Sequence, residues 1–443
     1  MIKTYNLRGV PYIGVGVERR GSVVAGRLEE DLIRTSAMGR ECNRPVESYG
    51  QLDSEKGVTR PEGSPADKVL RDFTVKRMLE TGLTVNVDRV GNIFGRREGI
   101  RQHEKTVMIG SHLDSVINGG HLDGALGVFA GIEAVARLRD EDFPNGHPIE
   151  VAAFTGEEGS SFEVGAMLGS AVLTGKMSVE EALSIKNTQG RTLGYVLAEI
   201  GYKGEFTHRI DDIDAFLELH IEQGPVLDSE EISVGIVTHI TGIAWLKSMV
   251  TGHENHAGTT PMHLRQDALV AAAAVVGFLD RRAKEMATSL SSSIVGTTGH
   301  FRVSPNNINV IPGSVALGLD IRAASLEAMK QLTDETTAFL KGLEPAYGVG
   351  VQVEPVEAQP PVDLSAEISE IFENSATQAG IRFRRMASGA AHDAQNMTAI
   401  ARTGMIFVPS VKGISHSPME WTGWKDIEKG VAVLTGALKS LSA

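Results

Sequence analysis

The sequence of 443 residues contains a single cysteine, Cys42, and no long hydrophobic run. One cysteine excludes an intrachain disulfide and a zinc site made of cysteine thiolates, so any metal ion must be held by His, Asp and Glu. Because no stretch of about 18 uncharged apolar residues occurs, the sequence predicts no membrane-spanning helix. Met1–Arg8 contains no apolar run either, and we therefore expect a cytoplasmic protein.

Basic and aromatic residues are also scarce. The chain has 43 Lys and Arg against 56 Asp and Glu, a formal net charge of −13, and 5% of its residues are aromatic. Nucleic acids and anionic membrane surfaces attract basic patches, so we expect neither a nucleic-acid partner nor a membrane partner. Hydrophobic residues make up 42% of the chain, which suffices for a large core and, at this length, predicts two or three domains.

Short β-branched runs alternate with helical patterns along much of the chain. Strands are predicted at Thr106–Gly110, Ile149–Phe154 and Ala215–Leu219, and Ala125–Leu138 has the apolar spacing of an amphipathic helix. This alternation is typical of an α/β domain with a largely parallel sheet. The fold class predicted for the larger part of the chain is therefore α/β.

The pattern changes in the middle of the chain, where strands alternate on one face and two helical stretches interrupt them. One predicted strand carries Asp320 and Arg322 on one side and four apolar residues on the other: Val315, Leu317, Leu319 and Ile321. This profile predicts a small α+β sandwich at 230–345, inserted into a larger domain formed by residues 1–229 and 346–443.

Polar clusters follow apolar segments at several places, and ligands of open α/β sheets bind at the carboxyl ends of strands. The first two clusters are Gly110–Ser115 (GSHLDS) and Gly119–Gly124 (GGHLDG). The others are Phe154–Gly159 (FTGEEG), Leu217–Gly224 (LELHIEQG) and Gly413–Glu420 (GISHSPME). Imidazole and carboxylate groups on such loops can converge on one cation, so these clusters predict a metal centre.

Seven residues of these clusters have the chemistry of a hydrolytic metal centre. Five are suited to hold two zinc-like ions that share a carboxylate: His112, Asp123, Glu158, His220 and His416. Asp114 is placed to orient or polarise His112 from outside the ligand set. Side chains of neighbouring residues in an irregular loop point apart, so one carboxylate of the pair Glu157 and Glu158 can bind metal while the other faces a metal-bound water as general base.

The five motifs, in this order, resemble the amidase/hydantoinase/carbamoylase branch of the di-zinc aminoacylase-like metallopeptidases. This branch includes N-carbamoyl-L-amino-acid hydrolases, β-ureidopropionases of the yeast type and allantoate amidohydrolases. The resemblance covers the chain from Ala66 to its last residue. It implies a hydrolase that cleaves the carbamoyl C–N bond of N-carbamoyl-L-amino acids or related ureido acids. It also implies a di-zinc aminopeptidase-like catalytic domain, an inserted α+β dimerisation lid and a homodimer.

The resemblance also assigns roles to single residues of the metal centre. It implies two ligand sets that share one carboxylate, namely His112, Asp123 and His220 for one ion, and Asp123, Glu158 and His416 for the other. Glu157 becomes the general base, and Asp114 matches the residue that orients the first ligand. The implied cofactors are two divalent ions per subunit, zinc in the first place, with manganese, cobalt or nickel as alternatives.

The predicted lid supplies further site residues through the same resemblance. His256, in Gly252–Pro261 (GHENHAGTTP), matches the histidine that stabilises the oxyanion, and lid residues are implied to reach the active site of the partner subunit. Asn309 and Arg322 match positions that bind the substrate, and a guanidinium group is suited to hold a carboxylate through two hydrogen bonds. Gln223 matches a contact to the scissile ureido or amide group.

Three features bear on the choice of substrate. In Ser388–Ala394 (SGAAHDA), Ala391 stands where the family has glycine and adds a methyl group beside a predicted substrate-binding turn. Ser161 stands where the family has arginine. Gly39–Ser64, rich in Gly, Pro, Arg and Glu, predicts a long loop that either faces the substrate or is an elaboration without a separate role.

Three rival interpretations stay open beside a carbamoyl hydrolase. The first is a hydrolase of N-acylated amino acids, which would release amine without ammonia. The second is a di-zinc exopeptidase, which would cleave dipeptides. The third is a binding protein without catalytic activity, and the presence of Glu157 together with all five ligand residues argues against it.

Overall fold

The computed structural model describes most of the chain, namely residues 26–40, 56–162, 167–290 and 293–443. Cys42 and much of the predicted loop Gly39–Ser64 lie outside these ranges, so the prediction about that loop is left as it stands. Within the described ranges, no helix combines the length and the apolar character needed to cross a bilayer.

The strands of the described ranges form three sheets. In chain order they are β1 (Thr84–Val87), β2 (Ile93–Arg97), β3 (Thr106–His112), β4 (Ile149–Phe154), β5 (Ile213–Ile221), β6 (Val234–Ile240), β7 (Gly242–Thr251), β8 (Asn255–His256), β9 (Ile294–Ser304), β10 (Val310–Ile311), β11 (Ser314–Ala323), β12 (Gly350–Gln359), β13 (Val362–Asp363), β14 (Phe383–Ser388) and β15 (Arg402–Val408). The three strands predicted before residue 220 are confirmed as β3, β4 and β5.

The α-helices of the described ranges are α1 (Arg27–Ala37), α2 (Pro65–Glu80), α3 (Ala125–Asp140), α4 (Leu168–Leu173), α5 (Val179–Ser184), α6 (Leu193–Ile200), α7 (Val226–Glu230), α8 (Ala268–Leu290), α9 (Leu326–Tyr347), α10 (Ala366–Gln378), α11 (Asp393–Met397) and α12 (Trp424–Ser442). Local sequence explains where α2 begins, because the side chain of Ser64 accepts a hydrogen bond from the Asp67 amide and proline occupies the first turn. The predicted amphipathic helix is confirmed as α3.

The largest sheet has nine strands in the order β1-β2-β4-β3-β5-β15-β6-β13, and β14 also pairs with β6. The central pairs β4/β3, β3/β5 and β5/β15 are parallel. The pairs β1/β2, β2/β4 and β6/β15 are antiparallel. The predicted α/β class is therefore confirmed, although the sheet is parallel at its centre rather than throughout.

Both faces of this sheet are buried, because successive residues of a strand point to opposite sides. In β3, Val107 and Ile109 belong to a core that also contains α3 and α12 residues, whereas Met108 belongs to a second core with Phe154 and Phe216. The central strands are therefore largely apolar, and the polar clusters identified in the sequence lie at or just after the ends of these strands.

The four-stranded sheet has the order β12-β7-β11-β9, with every neighbouring pair antiparallel. In β11, alternate residues are buried against α8 and α9, as predicted: Val315, Leu317, Leu319 and Ile321. Asp320 and Arg322 lie on the opposite face of the sheet, where neither helix packs. A third sheet consists of β8 and β10, which pair His256 with Val310.

Sheet membership bears on the predicted insert at 230–345. Strand β6 falls inside that range but pairs with β15, β14 and β13 of the nine-stranded sheet. Strand β12 begins beyond the range but pairs with β7 of the four-stranded sheet. The division into two domains stays a prediction, and by sheet membership its inserted unit would extend from Gly242 to Gln359.

Candidate metal centre

Four neighbouring strands bring the predicted ligands to one edge of the large sheet. His112 is the last residue of β3, Glu158 follows β4, His220 lies near the end of β5, and His416 follows β15. Asp123 lies on the loop that precedes α3. The turn there requires glycine, because Gly124 has a φ of 64° and a Cβ at this position would lie 2.3 Å from the His112 ring.

The carboxylate of Asp123 lies at the centre of three histidines. Its Oδ1 is 3.5 Å from His112 Nε2 and 3.2 Å from His220 Nε2. Its other oxygen, Oδ2, is 3.2 Å from His416 Nε2. Each oxygen of one carboxylate therefore faces a different part of the ligand set, which is the arrangement expected of a shared ligand.

Glu158 completes the second set. Its Oε2 is 3.5 Å from His416 Nε2, and its Oε1 is buried without a hydrogen-bond partner among the described residues. In each of three groups among the described residues, the ligand atoms lie within 4.8 Å of one another: His112, Asp123 and His220; Asp123, Glu158 and His416; and Glu218, His220 and His392. The first two groups are the sets that the family resemblance implies.

The protonation of the ring nitrogens suits a cation. His112 Nδ1 lies 3.1 Å from the Asp114 carbonyl oxygen, and His220 Nδ1 lies 2.9 Å from the Ile221 carbonyl oxygen. Because a carbonyl only accepts, each Nδ1 carries a proton, and each Nε2, which faces Asp123, is the atom that would bind a cation once its own proton is displaced. Two ligands about 2.1 Å from one tetrahedral ion lie about 3.4 Å apart. The observed spacings around Asp123 agree with this value, so the residues fit divalent cations.

The cluster contains buried carboxylates whose ionised forms a bound cation would stabilise. Burial, with the neighbouring Asp123 as a second cause, raises the pKa of Glu158 to about 8. Burial also raises the pKa of Glu157 well above its usual range. Burial opposes ionisation of Asp123 as well, yet hydrogen bonds from the three histidines hold its pKa well below the ordinary value. The hydrogen bond to Asp123 raises the pKa of His416 to about 9.

Asp114 makes contacts that differ from the sequence-based expectation. Its carboxylate Oδ1 is 3.9 Å from His112 Nδ1, and only its backbone carbonyl is within hydrogen-bond distance of that ring. The carboxylate instead accepts hydrogen bonds from three consecutive backbone amides, Gly156 at 3.0 Å, Glu157 at 3.2 Å and Glu158 at 3.0 Å. Asp114 thus fixes the turn that carries Glu157 and Glu158, in addition to orienting His112 through its main chain.

Two further buried carboxylates support the centre and were not predicted. Glu62 accepts hydrogen bonds from the amides of Ser161 and Phe162, both at 3.1 Å. Glu420 accepts from the amides of Leu122 and Asp123 and from the Ser415 hydroxyl. The position of Glu420 within the motif GISHSPME could have indicated its role. Glu62 lies between Pro61 and Gly63 in a predicted loop, where no pattern distinguishes it.

Gln223 lies within the centre. Its Nε2 donates to Asp123 Oδ2 at 2.8 Å and lies 3.3 Å from His416 Nε2. Its Oε1 is buried and has no partner among the described residues. Gln223 and His416 both have left-handed backbone conformations, with φ values of 58° and 52°. Such conformations cost free energy in residues other than glycine and are concentrated at functional sites.

The turn that contains Ala391 leads from β14 to the centre. The Ser388 hydroxyl accepts a hydrogen bond from the Ala390 amide at 3.1 Å and lies 3.1 Å from His392 Nε2. The ring of His392 packs on the ring of His220, with 4.5 Å between centroids. Ala391 is half-buried and directly precedes His392, so its added methyl group lies beside a residue in contact with the ligand set.

The three residues predicted on the lid occupy different places. Arg322 reaches the same turn, because its Nη1 donates to the Gly389 carbonyl oxygen at 2.9 Å. His256 is exposed, and its Nδ1 accepts from the amides of Gly258 and Thr259. The Asn309 carbonyl accepts from the Ala257 amide. Within the described ranges, no hydrogen bond or ion pair connects His256 or Asn309 with the ligand cluster of the same chain.

Comparison with known proteins gives consistent results. Residues 108–440 match the model of peptidase family M20/M25/M40. The chain is 37% identical to the N-carbamoyl-L-amino-acid amidohydrolase of Paenarthrobacter aurescens, over 91% of this chain and 98% of that protein. It is 32% identical to the allantoate amidohydrolase of Escherichia coli K12, over 90% of this chain and 96% of that protein.

A solved structure agrees in fold as well. The crystal structure of an amidase of the hydantoinase/carbamoylase family from Burkholderia multivorans superposes with a TM-score of 0.86, at 35% identity, over 94% of this chain and 97% of that one. Family model, relatives and structure all extend over most of the chain, and they agree with the resemblance carried by the sequence motifs. The chain belongs to peptidase family M20/M25/M40, in its hydantoinase/carbamoylase branch.

Proposed function

We propose that the protein is a two-metal amidohydrolase that cleaves the carbamoyl C–N bond of N-carbamoyl-L-amino acids or of related ureido acids such as allantoate. The observation that carries the proposal is the convergence of three histidine Nε2 atoms on the two oxygens of Asp123. The names of the relatives support the ureido substrate class, since they include both N-carbamoyl-L-amino-acid and allantoate amidohydrolases.

Two ligand sets would hold two divalent ions, with Asp123 shared between them. Zinc is the first candidate, and manganese, cobalt or nickel are alternatives because His, Asp and Glu bind each of them. Bound there, the ions would act as Lewis acids on the substrate carbonyl. The Oε1 of Glu158 is buried and has no hydrogen-bond partner among the described residues, which supports this assignment, since a buried carboxylate oxygen without a partner is costly in the absence of a cation.

Glu157 would act as the general base and then as the general acid. It would take a proton from the attacking water and return it to the leaving nitrogen. Its buried position raises its pKa, which suits a group that must hold a proton between the two steps. Asp114, bonded to the amides of residues 156 to 158, would keep Glu157 in place during this transfer.

The remaining predicted residues would bind the substrate. Arg322 and Asn309 would hold its carboxylate, and the free Oε1 of Gln223 would accept a hydrogen bond from the ureido nitrogen. His256 would stabilise the oxyanion. Because His256 and Asn309 are exposed and apart from the cluster, we propose that they act on the active site of a partner subunit in a homodimer. The lid would thus also be the dimerisation domain, and a cytoplasmic location remains part of the proposal.

Hydrolysis of the carbamoyl group yields an amine and carbamate, and the carbamate decomposes to carbon dioxide and ammonia. The test is ammonia release by metal-reconstituted enzyme from N-carbamoyl-L-amino acids, N-carbamoyl-β-alanine and allantoate. N-acetyl and N-formyl amino acids are assayed in parallel through amine appearance. Ammonia from a ureido compound is the expected result. Amine without ammonia would overturn the proposal and identify a hydrolase of N-acylated amino acids, with the methyl group of Ala391 as the first feature to examine.

A further inference from the structure

The guanidinium group of Arg322 is held in one orientation on the exposed face of β11. Its Nε donates to Asp320 Oδ1 at 3.0 Å, and its Nη2 donates to Asp320 Oδ2 at 2.9 Å. Trp245 lies opposite Asp320 on β7, and its indole N–H donates to the same Oδ2 at 3.0 Å. Asp320 is thus bonded on one side by a planar fork and on the other side by a rigid ring.

Fold stability does not account for the ion pair between Asp320 and Arg322. Asp320 and Arg322 are two residues apart on one strand, so their contact joins no separate parts of the chain. Their side chains are 28% and 29% exposed, and ion pairs that water reaches contribute little to the free energy of unfolding. The geometry of the pair therefore calls for an explanation other than stability.

The third contact of Arg322 points to that explanation. Its Nη1 donates to the carbonyl of Gly389, in the turn whose His392 packs on the ligand His220. The contacts with Asp320 and Gly389 use three of the five N–H bonds of a guanidinium group. Two N–H bonds are left for a substrate carboxylate.

We propose that Asp320 and Trp245 are positioning residues for substrate binding, which fix the guanidinium of Arg322 beside the turn at Gly389. This inference rests on the proposed role of Arg322 as the anchor of the substrate carboxylate. Without Asp320, the long side chain of Arg322 would explore several rotamers, and binding the substrate would carry the entropic cost of selecting one of them. The role would be seen in KM rather than in kcat.

The experiment compares Asp320→Asn and Trp245→Phe with Glu335→Gln. Glu335 forms a similar two-bond pair with Arg282 between helices α8 and α9, away from the face that carries Arg322, so its variant is a matched control. For a carboxylate substrate we expect KM to rise about tenfold in Asp320→Asn and about two- to threefold in Trp245→Phe, with kcat within about twofold of wild type. Glu335→Gln should change neither constant.

Two further measurements separate positioning from a general effect on the lid. A substrate analogue with a carboxamide in place of the carboxylate should show no change on Asp320→Asn. In an Arg322→Ala background, Asp320→Asn should add nothing, because its effect passes through Arg322. Additive effects, a similar shift in Glu335→Gln, or a fall of KM in Asp320→Asn would each overturn the inference. The last outcome would show that Asp320 competes with the substrate.

Failure of this inference is distinguishable from failure of the proposed function. If wild-type enzyme releases only amine from N-acyl amino acids, the reaction proposed above is wrong. The same variants are then compared on those substrates, which also bear the carboxylate. If wild-type enzyme turns over none of the compounds, dissociation constants of N-carbamoyl-L-amino acids measured by calorimetry replace KM, and the same three outcomes decide.

Discussion

The ligand cluster and the lid loop around His256 are built in opposite ways. The cluster lies at the edge of a sheet buried on both faces, and its backbone is fixed by the carboxylates of Asp114, Glu62 and Glu420. His256 and Asn309 are exposed, and their contacts are with neighbouring residues of the lid. The comparison teaches that residues of one chain are sufficient to bring the ligand cluster together, whereas His256 and Asn309 make no hydrogen bond or ion pair with that cluster within the described ranges.

The largest effect is expected from removing the residue on which both ligand sets depend. Asp123→Ala should abolish binding of both ions and lower kcat/KM by at least about 10³-fold, because one carboxylate serves both sets. Metal content by mass spectrometry and turnover are measured together. The surface carboxylate Asp140 offers a control, Asp140→Asn, with wild-type metal content. Retention of two ions by Asp123→Ala would show that the sets are independent.

The next largest effect is expected from a variant that loses the proposed general base but keeps both metal ions. Glu157→Gln should lower kcat by about 10²- to 10⁴-fold, the usual contribution of general acid–base catalysis. The amide keeps the shape of the side chain, so both ions should remain bound and KM should change little. Near-normal turnover of the fully loaded variant would mean that another group moves the proton.

The lid side of the comparison is tested by mixing subunits. His256→Ala should lower kcat by about 10²- to 10³-fold, as loss of an oxyanion donor does. When it is mixed with Glu157→Gln, a homodimer with exchanged lid residues regains about a quarter of wild-type activity, since half of the dimers contain one complete site. No recovery, with subunit exchange verified by mass spectrometry, would place His256 in the active site of its own chain.

Substitution of Asp114 is expected to have an effect of intermediate size on metal binding. It distinguishes the contact of Asp114 with His112 from its contacts with the amides of residues 156 to 158. If its carboxylate mainly fixes the turn at Glu157, Asp114→Ala should lower the affinity for the ion proposed to bind Glu158 and His416. The expected loss of affinity is about 10- to 100-fold, the usual range for groups that support metal ligands. The ion held by His112 and His220 should be affected less. Competitive metal titration resolves the two sites, and the reverse order would return Asp114 to the role of orienting His112.

Much of the ligand cluster was predictable from the sequence, because its residues follow local patterns of the chain. His112 and Glu158 each end an apolar strand, and parallel strands bring their carboxyl ends to one edge. The alternation of side chains along a strand placed Arg322 on the face of β11 opposite its apolar residues. Two features leave no local signal in the sequence. The bounds 230–345 of the insert rest on helical and strand patterns and stay a prediction, whereas the pairing of β6 with the large sheet is a long-range contact that no local pattern reports.

The second feature is the set of buried carboxylates that bind backbone amides. Glu62 resembles any charged residue of a Pro- and Gly-rich loop in sequence, and its role arises only because the fold brings Ser161 and Phe162 to it. Likewise, the sequence predicted that Asp114 orients or polarises His112. In the structure its carboxylate accepts hydrogen bonds from three consecutive backbone amides. The donors in these contacts are backbone amides, which every residue except proline has, so no residue preference at the donating position reports them in a sequence pattern.

The smallest effect concerns the pH dependence of stability, and it again separates the cluster from the lid. In metal-free protein the pKa of Glu158 is raised from 4.5 to about 8, so the folded state binds a proton that the unfolded state lacks between these values. Stability therefore falls as pH rises across this window. His416, with a pKa raised to about 9, adds stability that is complete below pH 6.5 and is lost as pH rises through 9.

Both groups act in the same direction, so the melting temperature of metal-free protein should fall by a few degrees between pH 5 and pH 9. Bound cations favour the deprotonated ligands and should remove this slope. In Glu158→Gln the metal-free slope should shrink, whereas in His256→Ala, on the exposed lid loop, it should be unchanged. Calorimetry of the three proteins across the pH range measures these slopes. A metal-free wild-type protein that gains stability with rising pH would show that the cluster holds no excess protons, and that its carboxylates are ionised before any cation binds.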